Sequence, residues 1–284
     1  MMRKQGVSPD LFIWIFAMVA GALLFLFFIL WSGKHAETSS TLEDIEFLRS
    51  LEQHISVLST TDELSKTVVF PRQLDVHIDC TTFFTDRATE QSTLFLFSPA
   101  LLQGQKYTLV GIPWRFPFYL DMFYSLIPEK SMVFLFYEPS AAAFATSLDL
   151  PSTLPVKILP LSSYSLSTIK QQLQGYSRVT LVFFGTVPDS TRLLASLRPL
   201  PVTLLAVDHQ RSLVTFYPSG QQRPYFGDAL LLGAFFGPEQ YACHFKRALD
   251  RFHLMASLYQ QKVALLQQKL ETGSSCQIFF SQAN

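Results

Sequence analysis

The sequence predicts an α/β fold: an N-terminal transmembrane helix, then a three-layer α/β domain with a mixed, mostly parallel sheet, and a long C-terminal helix. Three observations carry this. An unbroken apolar run without a charge, LFIWIFAMVAGALLFLFFILW, fills positions 11–31. From residue 131 onward, continuously apolar stretches alternate with amphipathic ones, the pattern of parallel strands covered on both faces by helices. Positions 239–271 then run without Gly or Pro and repeat apolar residues every three or four.

The apolar run covers about 21 residues, enough as a helix to cross a hydrocarbon core of ~30 Å. Trp14 and Trp31 lie near its two ends, where indole rings favour the headgroup boundary. Arg3 and Lys4 precede it and favour a cytoplasmic N-terminus; Lys34 and His35 follow it, offset by Glu37, Glu43 and Asp44. The expected organisation is a cytoplasmic tail at 1–10, the membrane span at 11–31 and a linker with an amphipathic helix at 32–64. An extracytoplasmic α/β domain follows at 65–284, with a subdivision near 130. A cleaved signal peptide is the competing reading. Its apolar region is usually only about 7–15 residues, and SGKHAETSS offers no small-x-small cleavage site, so a signal-anchor is preferred. RKQGVSP at 3–9 resembles the processing site of archaeal class III, pilin-type signal peptides. That resemblance implies cleavage after Gly6, retention of the helix, and a pilin-like surface subunit.

Composition narrows the function classes. Lys+Arg and Asp+Glu both number 22 in 284 residues, so no global field draws the chain to nucleic acid. Apolar residues make up 49% of the chain and 27 of its 284 residues are Phe, enough to fill a full core beyond the membrane run.

In chain order, 32–40 reads as a polar linker. Ser40 and Glu43 form an S-x-x-E capping box that opens a helix. Its stripe of Leu42, Ile45, Leu48, Leu51, Ile55 and Leu58 serves either a dimerising stalk or packing on the chain's own domain. Fewer than three clean heptads favour the second. Strand-like runs follow at 67–70, 74–80, 93–97 and 106–110. In LDVHIDC, Asp75, His77 and Asp79 share one face; two carboxylates and an imidazole are divalent-ion ligands, but a solvated strand face is the simpler reading and the one adopted. Pro113 and Pro117 make Trp114, Arg115 and Phe116 extended, with a short helix expected at 118–126. Exposed, that Trp/Arg/Phe cluster would be a partner contact; buried, it is ordinary core.

Strands are then expected at 132–137, 156–159, 179–184 and 202–207, with helices at 140–148, 166–173 and 190–197. Right-handed crossovers make this a Rossmann-like arrangement. An antiparallel edge strand is expected at 213–217, a short apolar helix at 227–236, and the long helix at 239–271. Phe245, Leu249, Phe252, Met255, Leu258, Tyr259, Val263, Leu266 and Leu270 form the long helix's core-facing stripe. Gly273 would cap it, and CQIFF at 276–280 reads as a last strand.

There is no GxGxxG, P-loop, HExxH or GxSxG, so no catalytic, cofactor or metal residues are assigned. A ligand, if one binds, belongs in the crevice beyond the C-terminal strand ends. The residues there are Glu138, Ser162, Ser163, Thr186, Asp189, Asp208 and His209. Asp208 beside His209 is an acid/base pair only if a nucleophile or metal joins it, and its place in a turn favours a backbone role. Glu138 and Asp189 fit helix starts. An oxidising exterior would allow one disulfide among Cys80, Cys243 and Cys276. A straight helix holds Cys243 and Cys276 roughly 40–50 Å apart, so pairing needs either a break near 253–257 or Cys80 as the partner. Reduced, buried cysteine is the alternative.

Four segments together resemble a group of archaeal single-pass membrane-anchored proteins: the RKQGVSP start with its helix, the strand ending at Cys80, PWRFPF at 113–118, and GAFFGPEQYAC at 233–243. The resemblance implies a cell-surface location and carries no mechanism. The expected function is a membrane-anchored protein-binding or assembly module, touching lipid through 11–31 and a protein partner or a second copy through its outer domain. A membrane-tethered enzyme or small-molecule binder using the crevice is the alternative.

Overall fold

The structure, a computed structural model, describes residues 9–58, 65–70, 73, 75–115 and 118–269. The first element is a single helix, α1 (Pro9–Leu58). It contains a span, Ile13–His35, long and apolar enough to cross a membrane, and none of that span is buried against the protein. Trp14 and Trp31 stand exposed near its two ends. The expected linker and capping box do not interrupt it, because 32–40 is helical as well. Lys34 and Glu37 are acceptable helix formers, Gly33 is a modest penalty, and extending an existing helix is far cheaper than nucleating a second one. Thr38 Oγ1 donates back to the Lys34 carbonyl at 3.0 Å, so its hydroxyl is satisfied without leaving the helix.

The far end of α1 is core. Leu48, Leu51 and Ile55 are fully buried, so this part of the amphipathic stripe packs on its own domain, while Leu42 at its start is exposed. They meet a sheet of β1 (Ser65–Val69), β7 (Lys106–Arg115), β8 (Tyr119–Pro128) and β5 (Phe95–Phe97), in the order β1-β7-β8-β5. Asp44, only 5% exposed, accepts from Thr85 Oγ1 at 3.0 Å and fixes the helix against the loop after β3. A smaller sheet, β2 (Val76–Ile78), β3 (Thr82–Phe84), β4 (Thr89–Gln91) and β6 (Leu101–Leu102), runs in the order β4-β3-β2-β6 beside it. The strand expected at 74–80 is thus three residues long, and Leu74 lies outside the described residues.

The helix expected at 118–126 is strand β8, paired antiparallel with β7 from Tyr107↔Pro128 to Arg115↔Tyr119. Phe123 and Ile127 enter one core and Tyr124 and Leu126 another. A strand buried on both faces shows no apolar–polar alternation, so periodicity alone cannot separate it from a short buried helix.

The third sheet has six strands, in the order β10-β9-β11-β12-β13-β14. Its members are β9 (Ser131–Tyr137), β10 (Val156–Pro160), β11 (Arg178–Phe184), β12 (Val202–Asp208), β13 (Leu213–Tyr217) and β14 (Gln221–Pro224). The first four are mutually parallel, and β13 and β14 close the edge antiparallel. Helices α2 (Ala142–Ser147), α3 (Leu166–Gln172) and α4 (Ser190–Ser196) occupy the crossovers. Ile169 and Leu173 at α3, with Leu193 and Leu197 at α4, cover Phe134, Leu181 and Leu204 on one face.

The other face meets α5 (Gly227–Phe236), buried from Ala229 to Phe236. A helix apolar all round is stable only when enclosed. Here α5 lies between the two larger sheets, packing against β7 and β8 on one side and β11 and β12 on the other. Residues from both sides of position 130 therefore share one core cluster, including Phe97, Phe123, Leu135, Val182 and Leu231.

Finally, α6 (Tyr241–Lys269) packs through Tyr241, His244 and Ala248. Its expected core stripe ends near Met255. Beyond it Leu258, Tyr259 and Leu266 are exposed, and the Tyr259 ring keeps a contact with Phe118 at 4.3 Å. Gly273 and 276–280 lie outside the described residues.

Candidate functional site

The expected crevice forms where β9, β11 and β12 end. It is a cavity of about 360 Å³ lined by Glu138, Phe184, Gly185, Asp208, His209 and Tyr217, among others. Its two carboxylates already accept backbone amides. Glu138 Oε1 accepts from the Thr186 backbone N–H at 2.9 Å, bridging the ends of β9 and β11. Gly185 permits this: its φ is 131°, and a Cβ at that position would overlap the Glu138 carboxylate. Asp208 Oδ1 accepts from the Gln210 and Arg211 amides at 3.1 Å each, closing the β12–β13 turn. His209 stacks on Phe144 at 5.5 Å. The turn role weighed for Asp208 is the one its contacts describe.

Other expected residues are not brought to the crevice. Asp189 caps α4, accepting from the Arg192 amide at 3.1 Å. Ser162 sits in an exposed 3₁₀ turn, and Ser163 donates to the Pro160 carbonyl at 2.7 Å. Trp114 is 2% exposed, stacks on Phe123 at 5.2 Å and donates its indole N–H to the Phe226 carbonyl at 3.2 Å. It is core, not an exposed partner contact. Arg115 is exposed, and Phe116 lies outside the described residues. His77 stacks on Phe84, and Asp79 accepts from the Cys80 amide. Among the described residues no group of three or more His, Cys, Asp or Glu is placed to hold a metal ion.

A second concentration of chemistry surrounds the disulfide, which joins Cys80 to Cys243 with Cα atoms 6.1 Å apart. Cys80 is thus the partner. Cys276 lies outside the described residues. The disulfide ties the small sheet to the first turn of α6, and two side chains reinforce it. Arg247 Nη1 donates to the Cys80 carbonyl at 2.8 Å, and Gln240 Nε2 donates to the Ile78 carbonyl at 2.9 Å. Beside them His244 is fully buried, with Nε2 2.9 Å from the Leu96 carbonyl and Nδ1 3.9 Å from Cys80 Sγ. A carbonyl only accepts, so Nε2 carries the proton and Nδ1 is bare.

Burial, with the Arg247 charge second, pushes His244 down to about 4, against the opposing Leu96 bond and Asp79. The folded chain therefore holds a neutral imidazole that the unfolded chain protonates near its ordinary value of ~6.5. Its contribution is complete above that value and is lost as pH falls from ~6.5 towards 4, by on the order of 3 kcal/mol. Urea melts at pH 7 and pH 4 should show it. His244→Gln, which can keep a donor to Leu96, should flatten the acid limb; an unchanged limb would locate the acid sensitivity elsewhere.

A third feature, absent from the sequence reading, is a cavity of about 550 Å³ between β7 and the first turn of α5. It is lined by Gly111, Trp114, Arg115, Asp149, Ser152 and Asp228, among others. Burial, and then the Asp149 charge, raise the Asp228 carboxyl above its ordinary value.

No protein-family model, no curated protein and no solved structure matches the chain.

Proposed function

We propose that the chain is a single-pass membrane protein with its N-terminus in the cytoplasm. Its Rossmann-like α/β domain lies on the extracytoplasmic side and serves as a protein-binding or assembly module. The observation that carries this is α1 itself. One end is an unburied apolar span with Trp14 and Trp31 near its boundaries, and the other is part of the domain core through Leu48, Leu51 and Ile55. Such a helix holds the folded domain at a fixed distance from the bilayer. From Trp31 to Asp44 it rises about 20 Å at ~1.5 Å per residue. The Cys80–Cys243 disulfide supports the outer placement, since such bonds persist in oxidising compartments. In the crevice, Glu138 and Asp208 already accept backbone amides, which favours a module that presents a surface over one that works on a crevice substrate.

Mild crosslinking in native membranes, followed by pull-down and mass spectrometry, tests the assembly role. The expected result is stoichiometric recovery of envelope proteins or of crosslinked copies of this chain. Recovery of uncrosslinked chain alone would remove the assembly reading. Protease added to intact cells should digest the domain, and full protection would reverse the topology. N-terminal sequencing distinguishes the pilin-like alternative, which requires a mature chain starting after Gly6.

A further inference from the structure

We propose that the cavity at the start of α5 binds a small organic cation, an ammonium group carried on an apolar or aromatic body. This goes beyond the binding-module reading and does not depend on it. At about 550 Å³ the cavity falls within the ~300–1,000 Å³ typical of small-molecule sites.

Part of its wall is apolar. Val110, Ile112 and Leu232 line it together with Trp114, whose indole is fixed by its bond to the Phe226 carbonyl. Gly227 has φ +75°, and the space its missing Cβ would fill is open, so the mouth of the cavity reaches the backbone at the start of α5. Two carboxylates enter from separate parts of the chain: Asp149 from the connection between α2 and β10, Asp228 from the first turn of α5. Among the described residues neither makes a side-chain hydrogen bond or an ion pair.

Asp228 answers the positive end of α5, so the helix terminus offers little further attraction to an anion. Burial first, and then the negative charge of Asp149, hold the Asp228 carboxyl above its ordinary value. An ammonium seated between them relieves that repulsion, while the apolar walls take the body of the ligand. Arg115, at the end of β7 and exposed as both carboxylates are, also lines the cavity, so solvent screens all three charges and the two carboxylates outnumber the one cation.

Titration calorimetry on the detergent-solubilised full chain, with 2-phenylethylamine as the probe, tests the proposal. The amine should bind, and 3-phenylpropionate, the same body with an anionic head, should not. Asp149→Asn and Asp228→Asn should each weaken the amine by about tenfold, the loss of one charge-assisted hydrogen bond. Affinity should rise with pH through the carboxylate range, as Asp228 loses its proton. Both variants alter exposed side chains and should keep the wild-type melting temperature, which separates lost binding from lost folding. Absence of heat with the amine at concentrations on the order of 10 mM, equal binding of the propionate, or unchanged amine affinity in both variants would each overturn the assignment.

Discussion

Cutting the Cys80–Cys243 link should produce one of the largest stability losses available to this chain. The bond joins residues 163 positions apart, and in the chain-entropy model a loop of that length is worth about 5 kcal/mol, within the ~2–5 kcal/mol seen when native disulfides are removed. Cys80→Ser, or reduction of the wild type, should therefore lower the melting temperature by roughly 10–20 °C at the ~2–4 °C per kcal/mol expected for a domain of this size. The loss should also be local. The small sheet β4-β3-β2-β6 meets α6 through the disulfide, the Arg247–Cys80 bond and the Gln240–Ile78 bond. Hydrogen exchange should quicken first at Val76–Ile78 and in the opening turns of α6, while β9, β11 and β12 stay protected. A loss below about 1 kcal/mol would mean that the two polar clasps and the buried His244 hold the junction unaided.

What the sequence made legible follows from which surfaces each element buries. Strands β9, β11 and β12 are apolar on both faces and are separated by helices with ordinary apolar stripes, so their order could be read along the chain. The apolar helix Gly227–Phe236 was equally plain. Strand β8 was not, because the same double burial that marks a central strand also imitates a short buried helix. The continuity of α1 through 32–40 was obscured by polar composition, which says where water is and not whether the helix stops. Strand β14 went unseen: its QQRP carries no apolar alternation, and it is ordered by pairing with β13.

The candidate sites divide in the same way. Topology alone located Glu138 and Asp208, since strand ends in a parallel sheet converge. Their consumption by backbone amides depends on turn geometry, above all on Gly185 lying close enough for Glu138 to reach Thr186. Asp149 and Asp228 carry no motif, and only the packing of α5 between two sheets brings them to one cavity. His244 likewise looks like any helix residue until burial strips its proton.

The packing of α5 yields the second large effect. Phe97 is fully buried and hemmed in by Phe123, Tyr241 and His244, with ring centroids at 5.8, 6.2 and 4.9 Å. On its remaining side lies Gly233 of α5, where an added Cβ would stand 2.6–2.8 Å from three ring carbons. Phe97→Ala should cost about 3–5 kcal/mol, the usual loss for an aromatic truncated in a core. Gly233→Ala should cost about 1–3 kcal/mol despite its better helix propensity, because the ring has nowhere to move. The two losses should not add. With the ring gone, the methyl introduced by Gly233→Ala would enter the space it left, so the double variant should fall short of the sum by about 0.5–3 kcal/mol. Denaturant melts of the wild type, both single variants and the double variant measure that coupling. Additive costs would show that Gly233 serves the backbone of α5 and not the Phe97 ring. A favourable coupling would show that a β5 side chain and a helix seated against the parallel sheet are solved together.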